Sequence, residues 1–112
     1  MRSMQQRLLD FYQMFSLLEC HVYHHMRGTN YPFLVWSEQG EEPAESFHTD
    51  GHKADQVITG VVDYYTKQEF DHIVDEIQTI LDDAGLVAWE LDAVQYEDET
   101  GLIHYTWTWR LS

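Results

Sequence analysis

Cysteine, proline and basic side chains are the scarce residues of this chain. With one cysteine, Cys20, there is no partner for an internal disulfide and no thiolate set for a multi-Cys zinc knuckle. Folding then requires no oxidising compartment, and cytoplasmic synthesis is expected. Six Lys and Arg stand against twenty Asp and Glu, a formal net charge of -14. Nucleic-acid binding draws most of its affinity from cations that displace counterions, so direct binding to nucleic acid or to an anionic membrane is not expected. No apolar run approaches the roughly 20 residues of a membrane span. The opening MRSMQQRLLDFYQMF lacks the continuous apolar core and small-residue cleavage site of a secretory signal. Neither G-x-x-x-x-G-K-[ST], G-x-G-x-x-G nor G-x-S-x-G occurs, which leaves nucleotide binding and the common hydrolase elbow without support.

What is present is apolar and aromatic: 44% of 112 residues are hydrophobic and 14% aromatic. That composition belongs to a globular chain able to bury one core, so residues 1–112 read as a single domain whose fold tolerates strong self-repulsion. Met4, Leu8, Phe11, Phe15 and Leu18 repeat at helical spacing behind Ser3 and Gln6, which have the form of a capping box. CHVYHH and FLVWSE, either side of MRGTNYP, read as two short strands, and Pro32 can only begin the second.

Residues 38–54 carry two Gly, one Pro and no sustained periodicity, which marks a long connection. DQVITGVVDYYT is apolar on both faces and reads as the central strand. Thr66 and Glu69 form a second capping-box pattern, followed by Phe70, Ile73, Val74, Ile77, Leu81 and Ala84 at helical spacing and Gly85 as a stop. The apolar phase of LVAWELDAVQY shifts between Leu91 and Val94, which predicts a bulge near Asp92 and Ala93. After the loop EDETG, period two puts Ile103, Tyr105, Trp107, Trp109 and Leu111 on one face and His104, Thr106, Thr108 and Arg110 on the other. The expected fold is α+β in the order α-β-β-β-α-β-β, a mostly antiparallel five-stranded sheet with two helices packed on one face. The other face, bearing polar groups and some aromatics, is a candidate partner surface.

Two groups of imidazoles invite a metal reading: His21, His24 and His25 in HVYHH, and His48 and His52 with Asp50 and Asp55 in FHTDGHKAD. On a regular strand His24 points away from His21 and His25, so three ligands converge only with a distortion, and a flexible loop seldom holds metal geometry. These residues read as solvated or partly buried His, with no metal and no cofactor expected. Cys20 reads as a small core residue and not a nucleophile. No catalytic residue is assigned, and the chain is not expected to be an enzyme. The acids of the second helix read as a solvated face, whereas those of the long loop and of Glu97, Asp98 and Glu99 could line a lumen or bind divalent ions weakly.

YPFLVW, KADQVITGVVDYYTK, EFDHIVDEIQTILDDAGL and VQYEDETGLIHYTWTWRL together resemble the small tail-terminator or minor tail (tail completion) proteins of long-tailed bacteriophages and prophages, over most of the chain from about Tyr23 to Leu111. The resemblance implies a structural virion protein, a ring-forming and commonly hexameric subunit. Such a ring caps the tail tube and presents a surface to the head-side connector, in host cytoplasm during assembly and then in the virion. An acidic lumen would keep passing DNA from sticking to the wall. Free subunits of this charge would associate weakly and respond to salt or divalent ions. The expected partner contacts are Phe47, His48, Asp50 and His52 in the long loop and Glu97, Asp98 and Glu99 at the hairpin tip. The competing classes are an acidic adaptor or nucleic-acid-mimicking inhibitor, which needs no ring, and a His-rich metal-binding protein.

Overall fold

The computed structural model describes residues 3–42, 48–49, 52–53 and 56–112, with 48–49 and 52–53 described as backbone only. The element order is α1 (Met4–Phe15), β1 (His21–His24), β2 (Phe33–Glu41), β3 (His48–Thr49), β4 (His52–Lys53), β5 (Ile58–Thr66), α2 (His72–Asp83), β6 (Ala88–Glu97) and β7 (Leu102–Leu111). Two short strands, β3 and β4, therefore stand inside the connection expected to have none. That connection also starts later than expected, because β2 pairs with β5 as far as Glu41.

The first helix begins with half of the expected box. Ser3 Oγ accepts the Gln6 amide at 3.3 Å, while the Gln6 side chain donates forward to Asp10 Oδ1 at 2.9 Å. Its stripe buries Leu8, Phe11 and Phe15, and Leu18 follows them into the core. The second helix corrects the expected cap. β5 runs through Thr66, the chain then turns with Phe70 at φ 52, and Asp71 is the N-cap in place of Thr66. Phe70 is accordingly 96% exposed and outside the apolar stripe, which is carried by Ile73, Ile77 and Leu81. Gly85 at φ 70 ends this helix in the left-handed conformation that glycine adopts without a Cβ penalty.

The sheet runs β1-β2-β5-β7-β6. It is mixed, which corrects the mostly antiparallel expectation: β1 pairs parallel with β2, and β2 with β5, β5 with β7 and β7 with β6 pair antiparallel. The reason lies in residues 25–32. Rather than turning back as a hairpin, this segment passes over the sheet face that points away from the helices and returns the chain to the starting end of β1. It lays Arg27 over Tyr65 at 5.0 Å and Tyr31 against Phe33 at 5.3 Å, so Phe33 is fully buried although it faces away from the helices.

The helix-side face collects Leu34 and Trp36 from β2, Ile58, Val62 and Tyr64 from β5, and Trp107, Trp109 and Leu111 from β7, all buried. Phe11 of α1 meets Trp36 and Trp109 edge-on at 5.7 and 4.8 Å, and Gln78 of α2 accepts the Trp107 indole N–H at 3.1 Å. Each such large side chain contributes about 1.5–3 kcal/mol on burial. On β7 the expected inward set holds for Ile103, Trp107, Trp109 and Leu111, while Tyr105 is only partly buried. β6 shifts register between Leu91 and Ala93, where the sequence phase changes. No helix among the described residues is long and apolar enough to cross a membrane.

Candidate functional site

Of the expected contacts, Phe47 and Asp50 lie outside the described residues, and His48 and His52 are described as backbone only, in the β3–β4 pairing. Glu97 closes β6 opposite Leu102, and Asp98 and Glu99 follow in the exposed turn, which is tied by the Gly101 amide donating to Glu97 O at 2.9 Å. Register separates these two regions. The connection is anchored where Glu41, Ile58 and Leu111 lie side by side, with the Glu42 amide donating to Val57 O at 2.9 Å. The hairpin tip lies past Thr66 and Ile103, at the opposite end of the sheet. The loop anchors and the tip thus cannot form one patch on a single copy.

On the open face, rings stack across three strands. Phe33 lies against Tyr65 at 4.7 Å and Tyr65 against His104 at 4.2 Å. Asp63 Oδ1 accepts from Thr106 Oγ1 at 2.9 Å and meets His104 Nε2 at 2.8 Å. A nucleophile relay needs the acid and the hydroxyl on opposite ring nitrogens. Here Thr106 Oγ1 meets the same Nε2, at 3.3 Å, so the trio is not a relay. Burial pushes the Tyr65 phenol up, helped by the Asp63 charge and opposed by Arg27.

The second constellation joins β1 to β2. Parallel pairing sets His24 beside Trp36, and its imidazole stacks on the indole at 3.9 Å and 10°. Glu38, two residues after Trp36 on the same strand, turns its carboxylate to the same side. His25 would point to the opposite face if the strand continued. At φ 68 it instead donates its amide to Trp36 O at 3.0 Å and brings its ring beside that of His24, centroids 4.1 Å apart. Glu38 Oε1 then receives His24 Nε2 at 2.6 Å and His25 Nε2 at 3.0 Å. Burial alone would raise the Glu38 carboxyl. The His24 hydrogen bond, a backbone hydrogen bond and the nearby imidazoles outweigh it and hold the group below the ordinary carboxylate value.

Of the two groups weighed from sequence, that of His21, His24 and His25 is not the one assembled, and the side chains of His48, Asp50, His52 and Asp55 lie outside the described residues. His21 stays out of this cluster, and Glu38, read as the junction between the strand FLVWSE and the long connection, enters it. The signal that could have found Glu38 was the period-two run Leu34, Trp36, Glu38, which puts its carboxylate on the Trp36 face of β2.

No protein-family model matches this chain, and no curated protein matches it. The remaining candidate feature is an edge. β6 is the last strand of the sheet and has no strand on its outer side among the described residues. Its Leu91, Val94 and Tyr96 lie across from Trp107, Tyr105 and Ile103 and so share the helix-side face, yet they are 43%, 52% and 61% exposed. A ten-residue edge strand with apolar side chains presents both unpaired backbone groups and a surface to bury.

Proposed function

We propose that this chain is a structural assembly subunit that forms a ring of its own copies, commonly six, and completes a phage tail. It would sit between the tail tube and the head-side connector, in host cytoplasm during assembly and in the virion afterwards. The reading carries no catalytic role, no sequence-specific contact with nucleic acid and no membrane association. The observation that carries it is β6: an open strand edge with Leu91, Val94 and Tyr96 exposed beside it suits pairing with a neighbouring copy. The separation of the loop anchors from the hairpin tip also suits a subunit that meets one partner at each end of its sheet. Resemblance of the strand and helix segments supplies the biological setting.

The net charge of -14 favours a second reading, an acidic adaptor or inhibitor that occupies a basic partner in place of nucleic acid. Ring formation separates the two. Light scattering across protein concentration and salt, with electron microscopy of the heaviest fraction, should give a discrete ring-sized species, favoured by salt that screens the acids. A chain that stays monomeric at all concentrations, alone and with purified tail tubes, would overturn the ring.

A further inference from the structure

We propose that His24, His25 and Glu38 form a binding site for one zinc-class divalent transition-metal ion, ligated by the two imidazole Nε2 atoms and the Glu38 carboxylate. The inference does not depend on the tail reading. Among the described residues, this is the group of three His, Cys, Asp or Glu donors whose ligand atoms all lie within 4.8 Å of one another. A tetrahedral zinc ion holds its ligands at about 2.0–2.2 Å, which places the ligand atoms roughly 3.3 Å apart. The present 2.6 and 3.0 Å separations reach that spacing through a small side-chain opening.

The donors are also preorganised. The Trp36 indole fixes the plane of the His24 ring, and the hydrogen bond that the His25 amide donates to Trp36 O fixes the backbone that carries the second ring. His24 alone already gives the Glu38 carboxylate an ion-pair partner. Bringing a second imidazole to the same oxygen takes a left-handed backbone at His25, a conformation uncommon for residues other than glycine. With both rings neutral the trio carries one negative charge, on a chain whose net charge already attracts cations.

Two imidazoles and a carboxylate select the ion. That ligand set suits zinc and its first-row neighbours, whereas magnesium and calcium favour all-oxygen shells. With side-chain exposures of 32% for His24, 55% for His25 and 20% for Glu38, the site opens to solvent on the His25 side. Water, or a donor from another molecule, can then complete the tetrahedron. Each ring must carry its proton on Nδ1 to offer the Nε2 lone pair, so the ion takes the place of the present contacts between Nε2 and Glu38 Oε1.

The test uses the untagged full chain, stripped with chelator, then titrated calorimetrically with zinc chloride and separately with magnesium chloride. The expected result is one equivalent of zinc bound with micromolar or tighter Kd and no comparable magnesium binding. Glu38→Gln and His25→Asn should each weaken zinc by about tenfold or more, and Asn tolerates the positive φ that His25 adopts. His72→Asn, at an exposed position outside the trio, should leave binding unchanged. Circular dichroism confirms that each variant is folded, and tetrahedral cobalt absorption lost in His25→Asn gives a second readout. Zinc bound equally by wild type and both site variants, or no stoichiometric zinc in folded wild type, overturns the site.

Discussion

Trp109 lays its indole across Gly60 so closely that a Cβ at position 60 would overlap both the Trp109 ring and the Ser37 carbonyl oxygen. The ring is fully buried and the carbonyl belongs to the neighbouring strand, so neither can move aside cheaply. Gly60→Ala should therefore destabilise the fold by about 1–3 kcal/mol through overpacking. Gly40→Ala, where the nearest atom to an added methyl is Thr59 Oγ1 at 4.0 Å, should be neutral or slightly stabilising. Urea midpoints of the two variants measure the difference, and equal midpoints would refute the close approach.

Asp71 holds three donors at once: Tyr64 OH at 2.6 Å, Thr66 Oγ1 at 2.8 Å and the Ile73 amide at 3.0 Å. Asp71→Ala removes a helix cap and leaves buried hydroxyls without their acceptor, for an expected loss of about 2–4 kcal/mol. Burial raises the Asp71 carboxyl, but these hydrogen bonds outweigh it and hold the group below its ordinary value. Since the folded value is the lower one, the contribution is present above the unfolded carboxylate range and is lost as pH falls through the folded value. Wild type should lose stability more steeply than Asp71→Ala between about pH 5 and pH 3. Parallel acid limbs in chemical unfolding would contradict this.

Burial pushes the Cys20 thiol up to about 11, with further contributions from the Asp71 and Glu76 charges. At neutral pH the thiolate population is then roughly a hundredfold below that of an ordinary cysteine, partly offset by the higher nucleophilicity of a more basic thiolate. Alkylation by iodoacetamide should run about tenfold or more slower in the folded chain than in urea. Equal rates would remove the reading of Cys20 as a packed, unreactive side chain.

Val94 is half exposed on the edge strand, so Val94→Lys should change folding stability by no more than about 0.5 kcal/mol. If β6 pairs with another copy, the lysine opposes that pairing, as charged side chains do on natural sheet edges. Sedimentation should show self-association weakened by about tenfold or more with the melting curve unchanged. Association that survives both Val94→Lys and Tyr96→Lys would move the interface elsewhere.

Local pattern carried much of the fold. The stripe Leu8, Phe11, Phe15 and the alternation Ile103, Trp107, Trp109 each bury the side that their periods indicate. The bulge beside Ala93 was legible because the apolar phase slips there. Arg7 was not legible: its guanidinium is buried and donates to the Gln56 carbonyl at 3.0 Å and to Gln56 Oε1 at 2.6 Å. Nothing near Arg7 in sequence announces a partner 49 residues away. The Thr66 capping pattern misled for a related reason, since Asp71 competes as a cap with two further donors supplied by β5.

By itself, the sequence determined the two helices, the five strands of the main sheet and the buried side of α1 and β7, because side-chain direction follows from the local backbone period. Tertiary structure alone decided that β1 runs parallel to β2, that Asp71 ties β5 to α2, and that Glu38 meets His24 and His25. Those choices depend on the path of residues 25–32 over Phe33 and Tyr65 and on contacts between distant segments. A period specifies the face that must find cover, and only the packed whole specifies what covers it.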